Sequence, residues 1–193
     1  MPVTYRLTKR RKLTLLSAVV ALLIITAQHF GWINLAQNNL EKSQPGLYTV
    51  VGFSDGDTIT VDMNGKKEKI RFIGVDTPET HKPNAPVQCY GPAASTFTKN
   101  FIGINKVRLE SDPLSTNRDR YDRLLRYVYL ADGTLVNQSI IEGGFGFYYP
   151  YFPFEKSKQF DEAQAKAKAA NKGLWGNCTP TMTDRGGYLS NDL

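Results

Sequence analysis

Histidine and cysteine are scarce in this chain, and their scarcity excludes several kinds of site. The 193 residues include two histidines and two cysteines. His29 and His81 are isolated from one another and make no ligand cluster, so the residue pattern of a zinc site is missing. The sequence also has no internal repeats or low-complexity tracts, which excludes a repeat architecture.

A basic surface is missing from most of the chain, although its formal net charge is +6. The chain has 24 lysines and arginines and 18 aspartates and glutamates. Residues 1–45 hold six of the basic residues and one of the acidic residues, which leaves 18 and 17 in residues 46–193, a net charge of +1. Overall basicity is therefore no evidence for nucleic-acid binding, and a polyanion site must be built locally, from Arg71, Arg118, Arg120, Arg123 and nearby lysines.

The one long apolar run lies near the N-terminus. It covers residues 13–27 and follows five basic residues with no acid among them, which is typical of a targeting segment. Good cleavage sites are missing, because Ile25 lies two residues before Ala27 and Asn34 two residues before Ala36. We expect a basic cytoplasmic tail at 1–12, a signal anchor or signal peptide at 13–35 and a polar linker at 36–46.

The basic flank also predicts an orientation for this segment. Positive charges favour the cytoplasmic side, so the rest of the chain is expected outside the cytoplasm. Without cleavage the protein is held at the membrane, and with cleavage it is secreted. We expect the uncleaved form.

The remaining residues predict a small mixed fold. Strand-forming segments cover residues 47–53, 58–63, 67–75, 105–110 and 124–130, with Asn64-Gly65 as a hairpin turn between the second and third. Helical spacing covers residues 90–102, 135–142 and 155–170. The order predicts an α+β domain at 47–178, a five-stranded OB-type Greek-key β-barrel with about three packed helices. Residues 179–193 contain few apolar residues and are expected to form a loose tail.

Two acidic turns lie at strand ends. The first reads Ser-Asp-Gly-Asp-Thr at 54–58, and the second reads Asp-Thr-Pro-Glu-Thr at 76–80. Pro78 should stop the strand and leave a stiff, exposed turn. Arg71, in the strand before it, would line a cleft and need an anionic partner. Acidic turns that converge make a cation site, so the sequence indicates a hard metal ion.

The second turn has another interpretation. Thr77 as an N-cap, Pro78 at the first helical position and Glu79 in the first turn are a common composition for the start of a helix. The presence of the earlier acidic turn favours the cation site instead.

Four motifs resemble the staphylococcal nuclease family. They are Ser-Asp-Gly-Asp-Thr at 54–58, Arg-Phe-Ile-Gly-Val-Asp-Thr-Pro-Glu-Thr at 71–80, Tyr-Gly-Pro-Ala-Ala-Ser at 90–95 and Asp-Arg-Tyr-Asp-Arg at 119–123. Their order and spacing are specific, and the likeness spans roughly residues 48–176. The resemblance implies an OB barrel and a calcium-dependent enzyme that cleaves DNA and RNA phosphodiesters to products ending in 3′-phosphate. It implies no obligate protein partner, and we expect a monomer.

The resemblance also implies a role for each residue of the site. Asp57 and Asp76 match the family's calcium-ligand aspartates, Thr77 its carbonyl ligand, and Asp55 a nearby acid that supports the metal site. Calcium takes carboxylate and carbonyl oxygens, which suits these residue types.

The catalytic residues of the family match Arg71, Glu79 and Arg123. Glu79 would activate or position the attacking water, while planar guanidinium groups grip a phosphate at two points. Arg120 and Tyr121 match substrate-contacting positions.

Two features leave questions open. The family often has glycine where Asp122 stands, and an acid beside Arg123 would either repel the substrate or orient that arginine. The aromatic residues at 145–154 would either stack on bases or pack as an apolar loop.

The sequence is also compatible with a non-catalytic function, and it predicts one disulfide. An OB domain can also be a non-catalytic module that binds nucleic acid or protein, but a degenerate copy should have lost charged site residues, and this chain has them all. Cys89 and Cys178 are an even pair outside the predicted strands, so in an exported domain we expect a disulfide rather than two unrelated thiols.

Overall fold

The computed structural model describes residues 17, 19–23, 25–26, 46–80 and 86–193. The chain divides into two units, Met1–Lys42 and Ser43–Leu193, and the described residues of the first are helical. Within the described part of the chain, every helix is too short or too polar to cross a bilayer. The predicted tail at 1–12, and most of the predicted anchor at 13–35 and linker at 36–46, lie outside the described residues.

The second unit is built on a closed barrel. Its strands are β1 (Leu47–Asp55), β2 (Thr58–Met63), β3 (Lys66–Phe72), β4 (Val75–Asp76), β5 (Lys106–Glu110), β6 (Leu124–Tyr129), β7 (Phe147–Tyr148), β8 (Thr181–Met182) and β9 (Tyr188–Leu189). The barrel order is β1, β2, β3, β6, β5, and only the β3–β6 pairing is parallel. The predicted α+β fold with a five-stranded barrel is confirmed.

Local sequence explains the first hairpins. Asn64 and Gly65 both adopt positive φ, which a two-residue turn between twisted antiparallel strands requires. Alternate residues of the strands, such as Ile59, Val61 and Ile70, have no exposed surface, so they form the barrel core.

The described part of the second unit has four helices. They are α1 (Gly91–Ile102), α2 (Val136–Glu142), α3 (Ser157–Ala169) and the single-turn α4 (Leu174–Asn177). The three predicted helices are confirmed, and α3 buries Phe160, Ala163 and Ala167 as its spacing indicated. Buried Asn137 of α2 accepts from the Val128 N–H at 2.8 Å and donates to the Ile73 carbonyl at 3.0 Å, which fixes the turn after β3.

That turn corrects one prediction. The strand expected at 67–75 ends at Phe72, and Ile73-Gly74 form a turn before the short strand β4. The Ile73 N–H still donates to the Arg126 carbonyl of β6, but the Ile73 carbonyl accepts from the Asn137 side chain, so the pairing of β3 with β6 ends here. After the turn at Ile73-Gly74, β4 pairs with β7 instead of extending β3.

The structure of the C-terminal residues also differs from the prediction. Residues 179–193 were expected to be loose, but β8 and β9 form a hairpin. The Tyr188 ring lies 5.0 Å from the Trp175 ring and 5.9 Å from the Phe147 ring, centroid to centroid. A few aromatic residues thus hold a segment whose average composition is polar.

The two cysteines join this segment to the region before α1. Cys89 and Cys178 form a disulfide with 89 residues of sequence separation. The Cys89 N–H also donates to the Asn191 carbonyl at 2.7 Å, and the Ser190 hydroxyl donates to the Cys89 carbonyl at 2.8 Å.

Candidate active site

The two acidic turns converge, as the sequence indicated. Asp57 is buried and its Oδ2 accepts hydrogen bonds from the Thr77 N–H at 2.9 Å and from the Thr77 hydroxyl at 3.1 Å. Gly56 permits this approach, because a Cβ at that position would lie 2.8 Å from the Thr77 methyl carbon. From α1, the Thr98 hydroxyl donates to the Gly56 carbonyl at 2.6 Å and braces the first turn.

The second turn is less exposed than predicted. Thr77 is 4% exposed and Pro78 is buried, whereas Asp76 and Glu79 are partly exposed. Residues 77–79 form no helix, so the alternative of a helix start is wrong. The Thr77 N–H donates to the Asp57 carboxylate, and this hydrogen bond holds the turn against the barrel in a non-helical conformation.

Arg71 lies between the two aspartates. Its Nη2 lies 3.2 Å from Asp57 Oδ2 and donates to Asp76 Oδ1 at 2.9 Å, while Nη1 donates to the carbonyls of Phe72 and Val75. Burial alone would lower the Arg71 pKa, but the two carboxylates outweigh it and raise the pKa above its ordinary value. The predicted need of Arg71 for an anionic partner is therefore met by Asp57 and Asp76.

This geometry allows a test of whether a metal ion fits. One nitrogen of Arg71 touches both carboxylates, so the carboxylates converge on a cationic group. Their donors are hard oxygens, which calcium and magnesium prefer over softer metals. Within residues 46–80 and 86–193, no cluster of three histidine, cysteine or acidic side chains forms a metal cage. The site therefore suits a hard cation that takes other ligands from backbone oxygen, water or substrate.

Glu79 is held through its backbone. Its N–H donates to Gln88 Oε1 at 2.8 Å, and its carbonyl accepts from the Gln88 N–H at 3.0 Å. The Glu79 side chain is partly exposed. Asp55, at the end of β1, accepts a hydrogen bond from the Thr80 hydroxyl, so it braces the same turn from the other side. No motif in the sequence indicated the role of Gln88.

Arg123 is held by Asp119. Asp119 Oδ2 accepts from Arg123 Nε at 2.7 Å and lies 2.7 Å from its Nη2, and Oδ1 accepts from the Arg123 N–H at 3.0 Å. Burial acts to raise the Asp119 pKa, but these hydrogen bonds outweigh it and the pKa is lowered. Arg123 Nη1 also lies 3.4 Å from the Thr58 hydroxyl, which donates to Asp57 Oδ1 at 2.9 Å. Thr58 thus connects Arg123 to the acidic turns.

Asp122 contacts Arg118 and does not orient Arg123. Its φ is 62°, in the left-handed region that favours glycine, which explains why glycine suits this position. Its carboxylate is exposed and lies 3.5 Å from Arg118 Nε. Orientation of Arg123 comes from Asp119 instead.

Arg120 and Tyr121 lie together at the rim of the site. Tyr121 is 65% exposed, and its hydroxyl accepts from Arg120 Nη2 at 2.8 Å. The guanidinium carbons of Arg120 and Arg123 lie 4.8 Å and 5.4 Å from the Tyr121 ring centroid. An exposed aromatic ring flanked by two cations is a suitable surface for a nucleic-acid strand.

Part of the aromatic stretch at 145–154 packs as an apolar loop. Phe145, Phe147 and Phe154 pack against α1, α4 and α3 through Phe97, Trp175 and Phe160. Tyr149 instead lies over Arg71, 6.0 Å from ring centroid to guanidinium carbon, and the Tyr151 ring lies 4.7 Å from the Tyr149 ring.

Comparisons with known proteins agree with this arrangement. A family model described as staphylococcal nuclease homologue matches residues 69–177. The chain is 42% identical over 141 residues to a thermonuclease from Staphylococcus hyicus, covering 72% of this chain and 80% of that protein. It is 36% identical over 157 residues to a thermonuclease from Staphylococcus intermedius, covering 81% and 92%. It is also 40% identical over 139 residues to endonuclease YncB from Bacillus subtilis, covering 71% and 61%.

Proposed function

The chain belongs to the staphylococcal nuclease family, and we propose that it is a calcium-dependent nuclease that hydrolyses DNA and RNA. The three relatives named above are two thermonucleases and an endonuclease, so the enzyme is a phosphodiesterase that acts on nucleic acid. This favours catalysis over the alternative of a non-catalytic binding module. The observation that carries the proposal is the placement of Arg71 between Asp57 and Asp76, with Arg123 connected to Asp57 through Thr58.

The metal site is proposed on the two converging turns. Asp57, Asp76 and the Thr77 carbonyl would hold calcium, and Asp55 would support the turn through Thr80. When bound, the cation supplies positive charge that polarises a phosphoryl oxygen.

The remaining residues supply the chemistry of hydrolysis. Glu79 positions a water molecule and accepts its proton as the water oxygen attacks phosphorus. The bond from phosphorus to the 5′ oxygen of the next nucleotide breaks, and that oxygen takes a proton from solvent, which leaves a 3′-phosphate. Negative charge grows on the phosphoryl oxygens, and Arg71 and Arg123 stabilise it more strongly than they stabilise the bound substrate.

This function is tested by incubating the purified full chain with single-stranded DNA, duplex DNA and RNA. Each substrate is tested with calcium and with a chelator. Cleavage with calcium, none with chelator, and product ends that a 3′-phosphatase makes extendable support the proposal. Equal cleavage with chelator would refute calcium dependence.

We further propose that the enzyme acts as a monomer, held at the membrane by residues 13–35 with the barrel outside the cytoplasm. The basic residues before the apolar run and the poor cleavage sites support this placement. Cell fractionation followed by N-terminal sequencing tests it. A mature protein that begins near residue 28 or 37 in a soluble fraction would contradict the anchor.

A further inference from the structure

The C-terminal hairpin places Arg185, an additional cation, next to Tyr151 at the edge of the active site. Arg185 lies between β8 and β9, outside the residues 69–177 that the family model matches. It is exposed, and its guanidinium carbon lies 4.8 Å from the centroid of the Tyr151 ring. An arginine on an aromatic face keeps its charge available to an anionic ligand while its stem and plane are held in place.

The hairpin is fixed on Tyr151 by specific contacts. The Tyr151 and Thr183 hydroxyls share a hydrogen bond of 2.6 Å, and the Gly187 N–H donates to the Thr183 hydroxyl oxygen at 3.2 Å. Gly187 is required at this contact, because a Cβ there would overlap the Tyr151 hydroxyl. Beyond it, Tyr188 packs on Trp175 and Phe147. These contacts therefore fix the backbone on either side of Arg185 against Tyr151.

Tyr151 connects Arg185 to the reacting centre. The Tyr151 ring packs edge-on against Tyr149 at 4.7 Å, and Tyr149 lies 6.0 Å from the guanidinium of Arg71. Burial and the charge of Asp76 raise the Tyr149 pKa, while the charges of Arg71 and Arg185 act in the opposite direction. Tyr149 and Tyr151 thus form a continuous aromatic contact between Arg71 and Arg185.

Arg185 differs from Arg71 and Arg123 in its ion pairs. Among the described residues, Arg71 and Arg123 are each paired with carboxylates, as are Arg108 and Arg118. The ion pairs of the described residues do not include Arg185. An exposed guanidinium of this kind, next to aromatic rings at the edge of a nuclease site, suits a backbone phosphate.

We propose that Arg185 binds a backbone phosphate of a single-stranded substrate, a few nucleotides from the scissile bond, beside Tyr149, Tyr151 and Phe152. Phe152 is 66% exposed and lies 6.0 Å from the Tyr149 ring. Aromatic faces of this kind stack on unpaired bases, so the extension favours single strands over duplex. OB domains contact about 4 to 16 nucleotides, and short substrates would not reach Arg185. The inference rests on the proposed nuclease function and deepens it.

The test compares Arg185→Gln with Lys166→Gln in the full chain. Lys166 is an exposed cation on α3, so its removal is a control for the loss of one surface charge. Cleavage of single-stranded DNA of about 16 nucleotides and of about 3 nucleotides is measured with calcium. For Arg185→Gln we expect KM of the long strand to rise about two- to fivefold with little change in kcat, and no change for the short strand.

The dependence on salt gives a second readout. The slope of log KM against log salt concentration for the long strand should fall by about 0.7, as expected when one contact to a single strand is lost. Arg185→Lys should recover part of the salt slope. If Arg185→Gln matches Lys166→Gln on both substrates, or lowers kcat equally for both lengths, the proposal is wrong. If wild type cleaves neither strand, the proposed nuclease function is wrong. The role of Arg185 is then tested by measuring the binding of the long strand to wild type and Arg185→Gln by fluorescence anisotropy.

Discussion

Gln88 holds Glu79 through a reciprocal pair of hydrogen bonds. Its side-chain oxygen accepts from the Glu79 N–H at 2.8 Å, and its own N–H donates to the Glu79 carbonyl at 3.0 Å. The residue next to it, Cys89, is bonded to Cys178. The proposed general base is thus positioned by a segment that the disulfide joins to the C-terminal part of the chain.

Loss of the Gln88 side chain should therefore impair turnover. In Gln88→Ala the Glu79 N–H loses its partner, and we expect kcat to fall about tenfold, because small displacements of a catalytic group are costly. Calcium affinity and KM should change little. In Gln88→Glu a carboxylate oxygen can still accept the hydrogen bond, so this variant should retain more activity. Steady-state kinetics with calorimetric calcium titration measures both effects, and equal activity of Gln88→Ala and wild type would contradict the role.

The two proposed calcium ligands should differ in their effect on stability. Asp57 is buried and binds Thr77 and Arg71, whereas Asp76 has a side chain that is 34% exposed. Asp57→Ala leaves the Thr77 N–H and part of the Arg71 charge unpaired, so it should lower the free energy of unfolding by about 3 kcal/mol. Asp76→Ala should cost about 1 kcal/mol.

Urea denaturation in chelator measures this difference without bound metal. Both variants should also lose calcium affinity and activity together. Equal losses of stability in the two variants would contradict the structural role of Asp57, and unchanged calcium affinity in either would contradict its assignment as a ligand.

The contact between Asp119 and Arg123 should set both turnover and acid stability. Asp119→Asn removes the charge that orients Arg123, and we expect kcat to fall about tenfold. The Asp119 pKa is lower in the folded protein than the ordinary aspartate pKa of about 3.9. Its contribution to stability is therefore fully present above about pH 4 and is lost as pH falls through the lowered folded pKa.

Unfolding of wild type and Asp119→Asn at several pH values checks this sign. The difference in their free energies of unfolding should stay constant from about pH 5 to pH 8 and shrink below about pH 4. A difference that vanishes near neutral pH would contradict the ionised contact.

Reduction of the disulfide should weaken the fold and the site together. A bridge across 89 residues of sequence should stabilise the protein by about 2 to 4 kcal/mol. Reductant should lower the melting temperature and kcat of wild type, while the Cys89→Ser/Cys178→Ser double variant should be insensitive to reductant. Thiol counting on unreduced, denatured protein gives a direct check, since two free thiols would exclude the bridge.

Some parts of this structure follow from local sequence and others do not. The Asn64-Gly65 hairpin, the helices and the convergence of two acidic turns depend on turn residues and spacing, which are visible in the sequence. The end of β3 at Phe72 depends on Asn137, which lies 64 residues further along the chain than Ile73. The hold of Gln88 on Glu79 likewise depends on where the fold brings separate segments together.

The structure of the C-terminal hairpin also depends on contacts between distant residues. Its mean polarity predicts a loose tail, but the contacts of Tyr188 and Thr183 with distant aromatic residues decide its structure. Single contacts of this kind leave no periodic pattern in the sequence. The role proposed for Arg185 could be inferred only from its place beside Tyr151.

The proposed function requires that Asp57, Asp76, Arg71, Glu79 and Arg123 act as one calcium-dependent site. The most direct measurement is the single-turnover rate of cleavage of single-stranded DNA at saturating calcium, for wild type, Arg71→Ala, Arg123→Ala and the double variant. Each single variant should be slower by about a hundred- to a thousandfold, and the double variant by much less than the product, because both arginines act on one transition state. Arg71→Lys and Arg123→Lys should recover little activity, because a point charge cannot grip phosphate at two points. Rates within a few-fold of wild type for both single variants, or an undiminished wild-type rate in chelator, would contradict the account.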